Sequence, residues 1–268
     1  MNPLYWLELR VRAREKRLWL IALFFVIILS IISGFILATV LFQSDYQTIE
    51  PLSIGEGLIW TALFCQAGLL VILAPLATAG RISQEREQRT LAALINSPAS
   101  ATRIALGKLW GAWIFVIWLG ILVLPFLFTA TLWGGPSWNL ILMCLCMNLL
   151  IGLVLSALSL GISGLFGRSL TAYLVTGCFL FGWIAILPML GGLAMALNHD
   201  GSKSFQECVM YLTIYHNPFF ALITLAESNS QWELNRMVLP ILYGVGIWIL
   251  LGMGGLVIAI RSLKKEVY

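Results

Sequence analysis

The sequence predicts an all-α integral membrane protein with six transmembrane helices and both termini in the cytoplasm. Three observations lead to this fold class. Hydrophobic residues make up 60% of the 268 residues and charged residues only 10%, whereas a soluble domain of this size carries about 25% charged residues. The apolar residues are gathered into six long runs that contain no Asp, Glu, Lys, Arg or His. The basic residues are gathered almost entirely in alternate gaps between these runs.

Each run is long enough to cross a bilayer, because a hydrocarbon core about 30 Å thick requires roughly 20 apolar residues in a helix. The runs cover residues 18–42, 58–80, 109–133, 140–166, 170–197 and 238–260. We therefore expect a six-span membrane domain over residues 18–268, preceded by a separate segment at residues 1–17.

The distribution of positive charge predicts the orientation. Fourteen of the sixteen Lys and Arg residues lie before the first run, in the second or fourth gap, or after the last run, and the exceptions are Lys203 and Arg236. Since basic residues stay on the cytoplasmic side, we expect cytoplasmic termini, a cytoplasmic second gap and a long external fifth gap. Basic clusters beside spans indicate contact with anionic membrane lipid and not with nucleic acid.

Residues 2–17 predict an amphipathic helix that lies in the cytoplasmic interface of the membrane. Apolar residues recur at helical spacing on one face and arginines on another. The predicted membrane anchors are Tyr5, Trp6, Arg10 and Arg14, because aromatic rings favour the headgroup level and basic residues the anionic surface. The polar face of this helix could also contact a cytoplasmic partner, and the sequence leaves both roles open.

The fifth gap contains an apolar stretch, residues 211–226, that is too short to span the bilayer. It is interrupted by His216, Asn217 and Pro218. This pattern predicts a broken external re-entrant segment at about residues 205–230.

Prolines and an asparagine within the runs lead to further expectations. Pro75, Pro125 and Pro188 lack a backbone donor, and each should bend its span. Asn148 in the fourth run is expected to make an interhelical hydrogen bond, the commoner role of a polar side chain in such a helix.

The second gap, residues 81–108, is the longest predicted cytoplasmic loop. It begins with a mixed-charge extension of the second span. A short amphipathic helix follows, with Leu91, Leu94 and Ile95 on one face, and it should end near Ser97 because the residue before a proline avoids the α region. The third span is expected to begin after the Gly-Lys pair that closes the gap. Because this element is tied to two spans, it could transmit a push from a cytoplasmic body to both.

This loop resembles the corresponding loop of the type-2 ABC exporter permeases, the ABC-2 family. There, an apolar residue is followed by Glu-x-Glu, Gly-Thr-Leu-Glu, Leu-Leu, a proline, and Gly-Lys at the start of the third span. The residues that fit in order are Ile82, Glu85, Glu87, Thr90, Leu91, Leu94, Ile95, Pro98, Gly107 and Lys108. Two positions depart from the pattern, since Arg89 stands where the family commonly has Gly and Ala92 where it commonly has Glu. The number of spans, the lead-in helix and the long external gap before the last span are also similar.

The resemblance implies a half-transporter with the ABC-2 exporter fold. It implies that two six-span subunits, this chain with a second copy or with a related permease, pair in the bacterial inner membrane. Two cytoplasmic ABC ATPase subunits would then bind ATP and Mg and hydrolyse the ATP. The coupling helix would lie around residues 90–96, and the residues implied for ATPase coupling are Glu85, Glu87, Thr90, Leu91, Leu94, Ile95, Asn96 and Pro98. The external residues Asn217, Pro218 and Phe219 resemble the Asn/Ser-Pro-Phe stretch of the family's re-entrant helices.

The chain itself is expected to be neither an enzyme nor a binder of cofactor or metal. The Gly-Lys pair is not part of a phosphate loop, because Thr102 replaces the required first glycine and Leu109 the final Ser or Thr. The two histidines lie in the fifth gap without a matching acid or nucleophile, and the five cysteines lack metal-binding spacing. ATP hydrolysis must therefore come from another polypeptide.

Three other function classes fit the sequence less well. An ion-coupled secondary carrier usually keeps ionisable residues within the membrane, and these runs have none. A membrane-embedded enzyme needs a Ser/His, paired-Asp or metal cluster at membrane depth. A non-transporting membrane anchor leaves the motif at residues 81–108 unexplained. We therefore expect alternating-access transport of an apolar or amphipathic cargo, such as a lipid, hydrophobic drug, peptide or lipid-linked glycan. Export as the direction follows from the resemblance alone.

Overall fold

The computed structural model describes residues 16–42, 51–91, 100–198, 202–227 and 231–265. Every regular element within these ranges is helical. The helices are α1 Lys16–Phe42, α2 Pro51–Leu76, α3 Arg81–Glu87, α4 Ala101–Thr131, α5 Trp138–Leu165, α6 Ser169–Leu197, α7 Lys203–Thr213, α8 Pro218–Glu227 and α9 Gln231–Lys265. Helix α6 includes a π-helical turn at Gly182–Ile186.

In the described part of the chain, six helices are long and apolar enough to cross a membrane, namely α1, α2, α4, α5, α6 and α9. Each coincides with one of the six apolar runs, because a helix satisfies its own backbone N–H and C=O groups where lipid cannot. The predicted all-α fold class with six spans is therefore confirmed. The predicted interfacial helix and its anchors Tyr5, Trp6, Arg10 and Arg14 lie outside the described residues. The side of the membrane that holds the termini stays a prediction.

The third long helix begins earlier than the sequence predicts. Helix α4 starts at Ala101, where the carbonyl of Ser100 accepts the N–H of Ile104 at 3.0 Å, and it therefore includes Lys108. The helix thus extends beyond the predicted start of the span after Lys108, and the point at which the span enters the membrane stays a prediction. In the folded chain Lys108 is only 4% exposed and has an acidic partner in α3.

The chain divides into two compact units, and the first consists of residues 1–72 and 110–152. In this unit an amide pair joins α2 to α5. The side-chain N–H of Asn148 donates to Oε1 of Gln66 at 3.1 Å and to the carbonyl of Leu63 at 3.2 Å. Both amides are almost fully buried, so each requires a polar partner. The interhelical hydrogen bond expected for Asn148 is confirmed.

The second unit consists of residues 73–109 and 153–268. Its helices α5 and α9 pack at backbone distance, since a Cβ added to Gly161 would lie 2.4 Å from the carbonyl oxygen of Gly255. Glycines permit such close approach between membrane helices. In the same unit, α7 and α8 form a pair bent by 119°, with the break at residues 214–217. Whether this pair enters the membrane as a re-entrant segment stays a prediction.

Candidate functional site

Helix α3 has seven residues, and its first turn is closed by a residue from another helix. So short a helix is unstable alone, because few of its backbone groups have partners within it. The preceding residue, Gly80, makes no side-chain cap. Instead, the hydroxyl of Ser163 in α5 accepts the N–H groups of Ile82 at 3.0 Å and of Ser83 at 3.1 Å. Ser163 therefore acts as an N-cap supplied by α5.

The last turn of α3 closes in a Schellman motif. The N–H of Thr90 donates to the carbonyl of Glu85 at 2.9 Å, and the N–H of Arg89 donates to that of Arg86 at 3.1 Å. Arg89 occupies the position that is usually glycine and has a φ of 58°. A residue with a Cβ is disfavoured in this left-handed region. The loop pattern that this sequence resembles has glycine at the same position, and the turn supplies the physical reason.

Arg86 joins α3 to the end of α5 and to α9. Its guanidinium donates to the carbonyls of Gly164 at 3.2 Å and of Phe166 at 2.7 Å, and to the hydroxyl of Ser262 at 3.1 Å. The last carbonyls of a helix have no partner within it, and a cation is favoured at that negative end of the helix dipole. One side chain therefore completes the end of α5 and fixes it to α3 and α9.

A buried ion pair joins α3 to α4. The Nζ of Lys108 contacts Oε1 of Glu85. A lysine as buried as Lys108 needs a charged partner, because an unpaired ion that has lost its water is strongly destabilising. The second carboxylate oxygen of Glu85 is buried and has no hydrogen-bond partner among the described residues. Glu85 thus supplies the opposite charge beside the buried Lys108 of α4 and joins α3 to that helix.

Glu87 caps the start of α6. Its Oε2 accepts the hydroxyl of Ser169 at 2.7 Å and the N–H of the same residue at 3.2 Å. Arg168, which precedes α6, makes no side-chain cap, so the carboxylate from α3 takes the place of the cap at the positive end of the helix dipole. The hydrogen bonds from Ser169, aided by the charge of Arg168, hold the pKa of Glu87 below its ordinary value.

An apolar cluster lies beneath these polar contacts. Leu91 follows the Schellman turn and is only 2% exposed. The cluster draws on α3, α4, α5 and α9, and it consists of Ile82, Leu91, Ile104, Ala105, Leu109, Ala157, Leu160, Ala259 and Leu263. We call the whole junction the hub, defined by Glu85, Arg86, Glu87, Leu91, Lys108, Ser163, Ser169 and Ser262. In the hub, one short helix is fixed to four long ones.

The hub contains some of the residues that the sequence predicted for coupling. Glu85, Glu87 and Leu91 contact partners within this chain, and Thr90 is exposed beside them. The other predicted coupling residues lie outside the described residues, and they are Leu94, Ile95, Asn96 and Pro98. For all eight residues, coupling to another protein stays a prediction.

Sequence reasoning missed Arg86 and the serines of the hub. Arg86 lies between the two glutamates of the motif, which was a signal that it shares their surroundings. Its partners Gly164 and Ser262 are 78 and 176 residues further along the chain, so the sequence alone could not identify them. The serines lie within or beside apolar runs, where a hydroxyl suggests an interhelical hydrogen bond but not its partner.

A second junction lies at the break between α7 and α8. The side-chain amide of Asn217 donates to the carbonyl of Ile184 in α6 at 2.8 Å, and its Oδ1 accepts the N–H of Phe219 at 2.9 Å. The indole N–H of Trp248 in α9 donates to the carbonyl of His216 at 2.8 Å. We call these five residues the seat. Its hydrogen bonds join the break to α6 and α9.

The three residues of the predicted external motif have different roles at this break. Asn217 provides side-chain contacts to another helix, whereas Pro218 and Phe219 open α8. Proline suits the first helical position, where a missing N–H costs nothing.

Both junctions are suited to mechanical connection. The described ranges contain no group of three or more His, Cys, Asp or Glu residues that could hold a metal ion. The polar groups of the hub and the seat are engaged in helix caps, carbonyl contacts and one ion pair. Such contacts join each junction to helices that are distant in sequence.

Comparison with known proteins identifies the family. No curated protein matches this sequence. The model of the family described as ABC-2 family transporter protein matches residues 2–266, a range that includes the hub, the seat and all six long helices. The chain therefore belongs to the ABC-2 family of transporter proteins and is a multi-pass membrane permease.

Proposed function

We propose that this permease is the membrane subunit of an ABC exporter and that a separate cytoplasmic ATPase drives it through the hub. The observation that carries the proposal is the attachment of α3 to α4, α5, α6 and α9. Helix α3 opens the loop at residues 81–108. A partner that pushes on this loop would therefore displace the ends of four long helices together.

The charge distribution supports a cytoplasmic position for the hub and for both termini. Lys264 and Lys265 lie in the last turn of α9, close in sequence to Ser262 of the hub. Basic residues at the ends of spans favour the cytoplasmic side. The membrane that we propose is the bacterial inner membrane, with the break between α7 and α8 on the external side.

The proposed partner is a pair of ATPase subunits that bind ATP and Mg. Gln88, Arg89 and Thr90 are exposed at the end of α3, where the proposed coupling helix of residues 90–96 begins. ATP-driven closure of the ATPase pair would favour one of two arrangements of the spans, and hydrolysis would restore the other. A second copy of this chain or a related permease would complete the transporter.

The proposed cargo is apolar or amphipathic. The six apolar runs carry no charged side chain, so a pathway between them offers little to a free ion, which loses its hydration in an apolar layer. A lipid, a hydrophobic drug, a peptide or a lipid-linked glycan fits this lining better. Export as the direction rests on the family resemblance.

The test is purification of the tagged chain from its native membranes, followed by an assay of ATP hydrolysis. We expect an ABC ATPase to co-purify with the chain and the separated chain to be inactive. Leu94→Asp should release the ATPase without preventing membrane insertion, because it places a charge on the apolar face of the proposed coupling helix. The matched control Phe205→Asp places the same charge on an exposed residue of α7 and should retain the partner.

Two results would contradict the proposal. One is hydrolysis of ATP by the separated chain. The other is co-purification of the ATPase with the Leu94→Asp variant at the wild-type level.

A further inference from the structure

Helix α6 contains a π-helical turn immediately before a proline. The turn is Gly182–Ile186, and the N–H of Leu187 donates to the carbonyl of Gly182, five residues earlier. In a regular α-helix the carbonyl of Ile184 would accept the N–H of residue 188, but Pro188 has none. Turns of this kind are rare and are often found at functional positions.

Asn217 supplies a donor for the carbonyl that Pro188 leaves without its α-helical partner. Its amide nitrogen lies 2.8 Å from the oxygen of Ile184, while its amide oxygen caps the first turn of α8 through Phe219. The residue is 8% exposed. One side chain therefore serves two backbone segments. Serine or aspartate could cap α8, but neither carries an amide donor with this reach.

This hydrogen bond is partly buried and is flanked by aromatic side chains. The ring of Trp183, within the π-helical turn, stacks on the imidazole of His216 with the ring centroids 6.1 Å apart and the planes 17° apart. The indole of Trp248 covers the same break from α9 and is 1% exposed. Because a partly buried carbonyl that loses its donor is costly to leave without a partner, removal of the Asn217 amide should be measurable at this turn.

The part of α6 that follows the π-helical turn also packs tightly on the bent pair of α7 and α8. A Cβ added to Gly191 of α6 would lie 1.9 Å from Oγ1 of Thr213, the last residue of α7. Within the break, the carbonyl oxygen of Tyr215 would lie 2.3 Å from a Cβ added to Gly244 of α9. At such distances α6 and α9 are closely packed against the bent pair.

The opposite end of α6 is held by the hub. Ser169 is capped by Glu87, and Ile184 lies fifteen residues further along, about 22 Å at 1.5 Å per residue. The π-helical turn is therefore the point where the part of α6 attached to the hub meets the part attached to the bent pair.

We propose that Asn217 is a positioning residue that latches the α7–α8 break to the π-helical turn of α6, and that this turn is a hinge. Residues 187–197 of α6 and the bent pair move on it together. This contact depends on Pro188. Because the proline has no N–H, the carbonyl of Ile184 lacks its α-helical donor and accepts the amide of Asn217 instead. This inference goes beyond the proposed coupling to an ATPase and does not depend on it.

The experiment measures amide hydrogen exchange in the full chain, reconstituted without any partner in nanodiscs of phosphatidylethanolamine and phosphatidylglycerol. Asn217→Ser keeps a neutral cap for α8 but removes the amide donor. We expect exchange in peptides covering residues 182–187 to rise about tenfold, as for the loss of one buried hydrogen bond. Peptides at the start of α8 should be unchanged. Asn217→Asp, which caps α8 but cannot donate when ionised, should loosen the turn at least as much.

The decisive comparison is made in a Pro188→Ala background. Alanine restores the N–H of residue 188, so the carbonyl of Ile184 regains an α-helical donor and the latch becomes redundant. Asn217→Ser should then raise exchange at residues 182–187 by less than about twofold, since coupled residues show non-additive effects. A residue with a merely structural role in α8 would show the same effect in both backgrounds.

Three results would overturn the proposal. They are unchanged exchange at residues 182–187 in both Asn217 variants, an equal rise in α5 and α9 that indicates general unfolding, and an undiminished effect in the Pro188→Ala background. None of these outcomes bears on whether an ATPase binds the hub, because no partner is present in the measurement.

Discussion

The hub and the seat fasten the same helix, α6, by opposite chemistry. At the hub the contacts are charged, with a glutamate on the first residue of α6, an arginine on the end of α5 and a buried ion pair between α3 and α4. At the seat the hydrogen-bonded groups are neutral: an amide and an indole donate to backbone carbonyls, and a backbone N–H donates to the amide oxygen of Asn217. Charged groups need water or an opposite charge nearby, whereas neutral donors suit an apolar layer. The chemistry of the hub is therefore that of a surface with water nearby, whereas the hydrogen bonds of the seat do not depend on charge.

The largest effect on stability is expected from a substitution at the hub that leaves a buried charge without its partner. Glu85→Ala should destabilise the fold by about 3 kcal/mol, the low end for breaking a buried pair, because Lys108 is 4% exposed whereas Glu85 is 30% exposed. Thermal unfolding in detergent, followed by tryptophan fluorescence, measures the change. The double variant Glu85→Met with Lys108→Met leaves no stranded charge and should recover most of the loss. Wild-type stability in Glu85→Ala would show that the ion pair does not hold α3.

A smaller effect is expected from a neutral contact at the seat. Trp248→Phe removes the donor to the carbonyl of His216 and should cost about 1–2 kcal/mol, since a buried acceptor is left without a partner. The matched control Trp133→Phe alters a residue that is 44% exposed and should change stability little. If Trp248→Phe cost more than Glu85→Ala in the same unfolding assay, the contrast between the two junctions would be wrong.

The Schellman turn at the hub allows a stabilising substitution. Arg89→Gly should raise stability by about 1 kcal/mol, because glycine adopts the left-handed conformation without the steric cost that arginine bears at a φ of 58°. The control is Gln88→Gly, at a neighbouring residue with a φ of −80°, where glycine offers no such gain. Equal effects at the two positions would mean that the backbone conformation of Arg89 is not the cause.

The smallest expected effect is the dependence of the α6 cap on pH. Because the folded-state pKa of Glu87 is lowered from 4.5, its contribution is complete above the unfolded-state pKa and is lost as pH falls through the lower folded-state value. The stability difference between the wild type and Glu87→Gln should therefore be constant from neutral pH to about 4.5 and shrink below it. A difference that shrinks well above the ordinary carboxyl range would contradict the bond to Ser169.

The six spans were predictable because lipid imposes one strong rule, that a spanning segment must be apolar and satisfy its own backbone groups. The start of α4 was not predictable by that rule. Lys108 has its acidic partner 23 residues earlier in the chain, and a charge that is neutralised by a distant residue cannot be recognised from its own neighbourhood. Local composition predicts the helices, whereas long-range pairing decides where their polar ends lie.

The sequence predicts some residues of the two junctions but not their partners, because the partners are distant along the chain. The motif at residues 81–108 drew attention to Glu85 and Glu87, but their partners Lys108 and Ser169 emerge only from the packing of the helices. The sequence predicts that Pro188 bends its span. It does not predict the contact of Asn217 with Ile184, because Ile184 is 33 residues earlier in the chain and the two meet only in the folded protein.

The most direct test of the central claim places the two ends of the second unit on opposite sides of the membrane. Thr90→Cys would report on the hub and the native Cys208, exposed in α7, on the bent pair, with the other four cysteines replaced by alanine. We predict that a membrane-impermeant maleimide labels Cys208 on intact cells and reaches residue 90 only after the membrane is permeabilised. Labelling of residue 90 on intact cells would contradict a cytoplasmic hub driven by an ATPase.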